Sequence, residues 1–357
     1  MDIETKVDLI KDFSEEVVTE EGLRKIFQNN DHPIAYDGFE PSGVAPIHFG
    51  LLRATNLRNM LKAGIKFRLY LADYFAFLND KLGGDLENIR NTGKYFIEVW
   101  KACGIDVNKV EIIWAKDIMN GISYWDKFLK VGKEISLERN LRATTIMGRK
   151  QGEKLSMGQL FYPSMQVTDI FHMNIDICQL GMDQRRANIL AREIADKLKW
   201  KKPAAAHHHI IMGLQGIRKG STHEETLIQS KMSKSDPKSA IYMHETYEEL
   251  KTKINSAYCP PQIEEGNPLL EYCKYIIFKN VKSMKIERPK KFGGNVDYVN
   301  YNELKDDYIK GKLHPTDFKL AVTNELDKLI KPAREYFEKN KKARELYNTV
   351  RQIKVTR

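Results

Sequence analysis

Lys231-Met232-Ser233-Lys234-Ser235 spells KMSKS, a pentapeptide that ordinary residue frequencies produce on the order of once in a million positions. Two lysines three apart, set among small serines and followed by the turn formers Asp236-Pro237, suit a mobile anion clamp. Their ammonium groups can close over a triphosphate and stabilise charge on departing pyrophosphate. A solvated basic loop has the same composition, so the run does not decide alone. A second stretch, Pro46-Ile47-His48-Phe49-Gly50-Leu51, falls at an expected helix start. There, free N–H groups and the positive dipole end attract phosphate. His48 can donate to a phosphate oxygen, and Gly50 would let a nucleotide approach the backbone closely. An HxG at a helix start, 183 residues before KMSKS, says more than either motif by itself.

The elements that must position these residues alternate. Pro33–Tyr36 reads as a strand, and Asp37–Gly43 as a turn-rich loop. A helix pattern runs from His48, with Leu51, Leu52, Leu57, Met60 and Leu61 on one side and Gly64 as its stop. Lys66–Ala72 reads as a buried strand ending at Asp73, Asp85–Cys103 as a helix broken by Gly104, and Val110–Ala115 as a further strand. Residues 1–30 are helix-prone, with Thr19 as an N-cap. Such alternation predicts an α/β, doubly wound parallel-sheet domain of Rossmann type, with its ligand crevice beyond the carboxyl ends of the strands. Segments 36–50 and 73–80 fall there. After KMSKS the alternation stops, and 245–257, 266–279, 301–311 and 317–347 read as helices. The expected division is a catalytic domain over 1–243 and an all-helical domain over 244–357.

Composition bounds the function. The chain has 357 residues, 42% hydrophobic and 30% charged, as in ordinary globular proteins. No apolar run nears the roughly 20 residues of a membrane span, and MDIETKVDLIKDF is not a basic-then-apolar leader. Cys103, Cys178, Cys259 and Cys273 are scattered, which suits reduced thiols in a cytoplasmic protein. His207-His208-His209 lies in an extended stretch whose side chains alternate faces, so the three cannot converge on one ion and no metal site is expected. The net charge is +10; residues 241–357 hold 23 Lys and Arg against 17 acids, and the first 240 hold 35 against 31. That excess fits phosphate-backbone contact by the C-terminal part, and it fits a solvated basic surface as well.

Taken together, His48-Phe49-Gly50 and Lys231–Ser235 resemble the HIGH and KMSKS signatures of class I aminoacyl-tRNA synthetases. Further stretches are similar to the tyrosyl-tRNA synthetases of archaeal and eukaryotic type: YDGFEPSG (36–43), LAD…FLND (71–80), YPSMQVTD (162–169), GMDQR (181–185), AYCP…EGNP (257–268), KFGG (291–294) and LHPTD (313–317). The resemblance covers about residues 33–335. It implies a ligase that activates L-tyrosine with ATP, accompanied by Mg²⁺, and transfers it to tRNA(Tyr), as a homodimer. It assigns Tyr36 and Asp169 to the substrate phenol, with Gly38 in the same pocket, and Tyr162, Gln166 and Gln184 to the ammonium group. His48, Gly50, Lys231, Met232, Ser233, Lys234 and Ser235 correspond to the ATP site, with His48, Lys231 and Lys234 catalytic. Phe292, His314 and Asp317 correspond to the reader of the first anticodon base, and Arg142 and Arg185 to contacts near the acceptor end. Tyr162, Gln166 and Asp169 stand at i, i+4 and i+7, so one helix face can present all three. Leu51 replaces the second histidine of HIGH, and Phe75 stands where relatives usually carry a histidine. A tryptophanyl-tRNA synthetase shares the signatures, but a Tyr–Asp pair suits a phenol and an indole N–H cannot satisfy both members. A catalytically silent tRNA-binding descendant is the other rival, and the intact His48, Lys231 and Lys234 speak against it.

The clamp reading predicts that Lys234→Ala slows adenylate formation by roughly 10²-fold, the scale for losing one preorganised charge-stabilising group. Tyrosine affinity should stay nearly constant. Rapid-quench single-turnover kinetics checks this, and normal activation in the variant would remove the clamp role.

Overall fold

The structure, a computed structural model, describes residues 1–149, 152–217, 220, 226, 230–232 and 236–356. Six strands form one sheet: β1 (Ser14–Val18), β2 (Ile34–Phe39), β3 (Lys66–Leu71), β4 (Val110–Trp114), β5 (Ile177–Gly181) and β6 (Ala204–His208), in the spatial order β1-β6-β5-β2-β3-β4. All neighbours are parallel except β1, which runs antiparallel along the β6 edge. The chain winds outward through β2, β3 and β4, then returns to β5 on the other side of β2. The β2/β5 junction is therefore the switch point at which such sheets open a crevice.

Strand alternation divides the interior into two cores. Ala35, Phe39, Phe67, Leu69, Leu71 and Ile177 face one side, where the helices Arg53–Lys62 and Leu86–Ala102 cover them. Tyr36, Tyr70, Cys178, Leu180 and Ala205 face the other, under the helices Met157–His172 and Arg185–Leu198. The helix Met157–His172 starts on a capping box between Ser156 and Gln159. The helix Leu86–Ala102 starts on the Asp85 side chain and stops where Gly104 turns left-handed at φ +79°. Gly64, at φ +83°, ends the preceding helix as expected.

Several elements differ from the sequence expectations. Asp37, Gly38 and Phe39 continue β2 and do not form a loop, because they pair in register with Leu69, Tyr70 and Leu71. Part of the helix-prone start is β1, whose acids Glu15 and Glu16 meet histidines of the β6 edge. The stretch 317–347 is two helices, Pro315–Lys339 and Lys341–Gln352, divided where Asn340 takes an extended conformation and caps the second. The C-terminal part is helical with one addition, a two-stranded ribbon of β7 (Met284–Ile286) and β8 (Val296–Tyr298).

Packing is continuous across residue 243. The helix Lys341–Gln352 lies on Leu86–Ala102, Tyr336 Oη donates to Glu98 Oε2 at 2.6 Å, and the His244 ring stacks on Tyr347 at 3.7 Å. No described helix is long and apolar enough to cross a membrane.

Gly93, on the helix Leu86–Ala102, sets the spacing between that helix and β4: a Cβ there would stand 2.5 Å from the Trp114 ring. Gly93→Ala gains about 1 kcal/mol of helix propensity, but overpacking against a rigid indole costs about 1–3 kcal/mol. The variant should be net destabilised, with a lower urea midpoint and an unchanged m-value.

Candidate active site

A cleft of about 510 Å³ opens beyond the carboxyl ends of β2, β3 and β5. Tyr36, Gly38, Tyr162, Gln166, Asp169 and Gln184 line it together with His48, Lys231 and Met232. The two signature stretches meet directly: His48 Nδ1 lies 3.5 Å from Met232 Sδ, across 184 residues of chain. Two backbone contacts hold this approach, Ile47 N–H to Ile241 C=O at 2.9 Å and Met243 N–H to Ala45 C=O at 3.0 Å. Lys231 Nζ reaches Asp183 Oδ2 at 3.5 Å. Ser233, Lys234 and Ser235 lie outside the described residues.

One end of the cleft is a buried polar pair. Tyr36 and Asp169 are each only 1% exposed. Tyr124 Oη donates to Asp169 Oδ1 at 2.8 Å, but Asp169 Oδ2 and Tyr36 Oη make no hydrogen bond of good geometry, although the Tyr70 hydroxyl faces Asp169 and Gln166 faces Tyr36. A buried polar atom left unpaired costs about 1–3 kcal/mol, so these atoms are complementary to a ligand hydroxyl that donates to one and accepts from the other. Burial pushes the Asp169 carboxyl up to about 8, against the opposing effect of the Tyr124 and Tyr70 hydroxyls. A Cβ added at Gly38 would stand 3.5 Å from the Tyr70 ring and 3.7 Å from the Tyr36 ring, an ordinary contact distance.

Next along the same helix face, Tyr162 Oη donates to Glu40 Oε1 at 2.7 Å. Gln166 Nε2 donates to Gln184 Oε1 at 3.2 Å, and Gln184 Nε2 donates to Ile146 C=O at 3.0 Å. Glu40 also accepts from Asn79 Nδ2 at 3.1 Å. This cluster of oxygens anchored by donors suits a cation such as an ammonium. Phe75 packs its edge on Tyr162, with centroids 4.7 Å apart, and fills the wall with an apolar ring.

Some expectations need correction. The helix after Ile47 begins as a wide turn over His48–Leu52, and the Phe49 and Gly50 N–H groups both turn back to Pro46 C=O, at 3.0 and 3.4 Å. They are therefore not open to phosphate. Gly50 is absent from the cleft lining; a Cβ there would meet Met243 Sδ at 2.5 Å and Cys103 Sγ at 3.1 Å. Its lack of a side chain admits core packing, not a nucleotide. Leu51 is a buried core residue.

Other side chains escaped sequence reasoning. Glu40, Asp37 and Asp183 line the cleft inside stretches quoted above for other residues, and Asp37 forms a buried ion pair with Arg53. Tyr70 could have been found as the residue opposite Gly38 on β3. Tyr124 carries no local signal, being 45 residues from Asp169. The three consecutive histidines part as alternation requires: His207 faces Glu16, His208 faces Gln179, and His209 faces Glu15.

The remaining assigned residues lie away from the cleft. Arg185 pairs with Glu16 at 2.8 Å, and Arg186 Nη1 donates to Arg142 C=O at 2.7 Å, so Arg142 and Arg185 share one region. Phe292 ends a short turn, Lys290–Phe292. Arg288 ties that turn to the segment before His314, donating to Gly294 C=O at 2.6 Å and to Lys312 C=O at 2.5 Å. His314 caps the helix Pro315–Lys339, and Asp317 lies in its first turn beside a hollow of about 250 Å³ lined also by Tyr247, Lys285 and Lys328.

The raised Asp169 carboxyl has a stability consequence. A group whose folded pKa exceeds its unfolded value contributes stability in full below the unfolded pKa, near 3.8, and loses it as pH rises through about 8. Ligand-free protein should therefore lose more stability between pH 5 and pH 8 than Asp169→Asn does. Urea midpoints at the two pH values check this, and equal losses would contradict it.

The comparisons with known proteins agree with this geometry. A family model described as tRNA synthetases class I (W and Y) matches residues 28–331. The chain is 43% identical over 378 residues to the tyrosine–tRNA ligase of Thermococcus kodakarensis, covering 100% of both chains. It is 42% identical over 359 residues to the cytoplasmic tyrosine–tRNA ligase 1 of Arabidopsis thaliana, covering 100% of this chain and 90% of that one. The solved tyrosyl-tRNA synthetase of Pyrococcus horikoshii, complexed with L-tyrosine, matches with a TM-score of 0.90 at 40% identity, over 98% of this chain and 100% of that one. A parallel sheet opened at its switch point, two signature stretches in contact and a full-length match lead to one conclusion: the chain belongs to the class I tRNA synthetases, and among them to the tyrosine–tRNA ligases.

Proposed function

We propose that the cleft joins L-tyrosine to ATP and then passes the tyrosyl group to tRNA(Tyr). In the first step a tyrosine carboxylate oxygen attacks the α-phosphorus in line, the bond to the β,γ-diphosphate breaks, and pyrophosphate leaves with its magnesium ion. The adenylate then gives its acyl group to a hydroxyl of the terminal ribose, releasing AMP. Neither step needs a protein nucleophile, so the residues act by positioning and by charge stabilisation. Tyr36 donates to the substrate phenol oxygen, and the phenol donates to Asp169. Tyr162, Gln166 and Gln184 orient the ammonium end. His48, Lys231 and Lys234 stabilise the phosphate charge, with Mg²⁺ entering as part of the nucleotide substrate. The observation that carries this reading is the pair of buried, unpartnered atoms, Tyr36 Oη and Asp169 Oδ2.

We assign activation to residues 1–243 and anticodon contact to 244–357, with Phe292, His314 and Asp317 receiving the first anticodon base through stacking and an acceptor carboxylate. Arg142 and Arg185 lie with the acceptor end. A cytoplasmic location fits the four free cysteines. A homodimer is the proposed assembly; Ile122, Leu129, Leu137 and Met157, each 65–77% exposed, are apolar side chains such a contact would cover.

Amino-acid choice provides the test. Asp169→Ala removes the acceptor of the phenol hydroxyl, and discrimination of tyrosine over phenylalanine in kcat/KM should fall by about 10- to 100-fold. Competitive pyrophosphate exchange with both amino acids measures it. Unchanged discrimination would take Asp169 out of the pocket.

A further inference from the structure

One short helix holds the segment that pairs with Lys231. Met212 pairs with Lys231 in an antiparallel bridge. Its neighbours make the hydrogen bonds: Met232 N–H to Ile211 C=O at 3.4 Å and Gly213 N–H to Ser230 C=O at 2.7 Å. In such a pair the N–H and C=O of the bridging residue point away from the partner strand. Both groups of Met212 are taken by the helix Pro268–Tyr272. Its N–H donates to Glu271 Oε1 at 2.6 Å, and its C=O accepts from Tyr272 Oη at 3.0 Å. Glu271 is 8% exposed and Tyr272 is fully buried. Lys231 thus hangs from a rail whose outer edge is fastened by the C-terminal half of the chain.

The charge on Glu271 has a partner. Glu271 Oε2 lies 3.2 Å from His209 Nε2, and His209 Nδ1 lies 2.9 Å from Glu15 Oε2 on β1. The His209 ring stacks on Tyr275, with centroids 4.2 Å apart and planes 8° from parallel. Burial by itself would depress this imidazole, but the two carboxylates outweigh it and raise it to about 9. At neutral pH His209 is therefore an imidazolium between two carboxylates, and it compensates a charge that would be costly to bury alone. None of these residues touches the phenol end of the cleft, which β2, β3 and the helix Met157–His172 build.

We infer that Glu271 and Tyr272 are positioning residues for amino-acid activation: they hold Met212, and through it the backbone of Lys231, at the mouth of the cleft. The inference rests on the proposed role of Lys231. A misplacement of about 1 Å in a charge-stabilising group costs on the order of 10²-fold in rate, whereas tyrosine binding at the other end of the cleft is untouched.

The test uses the full chain as the parent and as Glu271→Ala, Glu271→Gln, Tyr272→Phe, Lys231→Ala and the double variant Lys231→Ala/Glu271→Ala. Single-turnover adenylate formation is followed against ATP concentration, and tyrosine affinity is measured by equilibrium dialysis. Glu271→Ala should slow activation by about 10- to 100-fold with tyrosine affinity within twofold of the parent. Glu271→Gln, whose amide oxygen still accepts from Met212, should recover most of the rate. Tyr272→Phe, which loses one hydrogen bond and keeps its shape, should slow activation by about 2- to 10-fold, and it decides the matter if Glu271→Ala does not fold. In the Lys231→Ala background the Glu271→Ala effect should vanish, because both act through one group. Normal activation in both Glu271→Ala and Tyr272→Phe, tyrosine affinity falling in step with rate, or additive effects in the double variant would each overturn the inference. If Lys231→Ala itself activates normally, the role of Lys231 fails and takes the inference with it. Slow activation in Lys231→Ala beside normal activation in the other two overturns the inference alone.

Discussion

Two polar atoms buried without partners, Tyr36 Oη and Asp169 Oδ2, constrain the rest of the cleft. Folding does not ordinarily leave such atoms unpaired. Here the neighbouring groups do not complete the set: the Tyr70 hydroxyl faces Asp169 and Gln166 faces Tyr36, yet neither makes a hydrogen bond of good geometry to these atoms. Tyr124 already occupies the other oxygen of Asp169, and Phe75, Leu180 and Gly38 line the apolar walls. A ligand that brings a hydroxyl to that depth supplies the missing partners. Specificity follows from the same fact, since a ligand lacking the hydroxyl leaves them missing.

The second requirement is to bring positive charge to the opposite end of that cleft from residues far apart in sequence. The sheet does this in two stages. Its switch point between β2 and β5 sets the stretch beginning at His48 and the loop after β5 on either side of one opening. Short antiparallel pairings outside the sheet then fasten the Lys231 segment to Met212 and the segment after it to Ala45–Ile47. The His48–Met232 contact results from these pairings. The C-terminal helices meet the sheet-bearing part along an aromatic seam of Tyr95, His244, Phe337 and Tyr347. The two parts of the chain are thus packed together, and the helix bearing Glu271 and Tyr272 is one place where the C-terminal part reaches Met212, the partner of Lys231.

Much of this was legible in the sequence, for identifiable reasons. The strands at 34, 66 and 110 and the helix after Asp85 carry hydrophobic runs and caps whose local physics agrees with the fold. The resemblance singled out Tyr162, Gln166 and Asp169, and their helical spacing put them on one face, which lines the cleft. Where local signals misled, tertiary pairing had overridden them. Asp37-Gly38-Phe39 has turn composition but is held in β2 by its partners on β3. The acids of β1 look helical until the histidines at the β6 edge are seen to face them. Gly50 was read as making room for a nucleotide, and Met243, 193 residues later, fills that room. Tyr124 and the His209–Glu271 pair could not be read at all, because nothing near them in sequence signals their contacts. The division of roles between the two lysines of KMSKS rests on chemistry and resemblance, since Lys234 lies outside the described residues.

The central claim is that a cleft with a buried Tyr–Asp pair at one end and the His48 and Lys231 stretches at the other activates tyrosine. Amino-acid-dependent exchange of labelled pyrophosphate into ATP, run in turn with each of the twenty amino acids and no tRNA, tests it most directly. The account predicts strong exchange with tyrosine and background exchange with phenylalanine and tryptophan. Exchange driven by tryptophan, or no exchange with any amino acid by a folded protein, would contradict it.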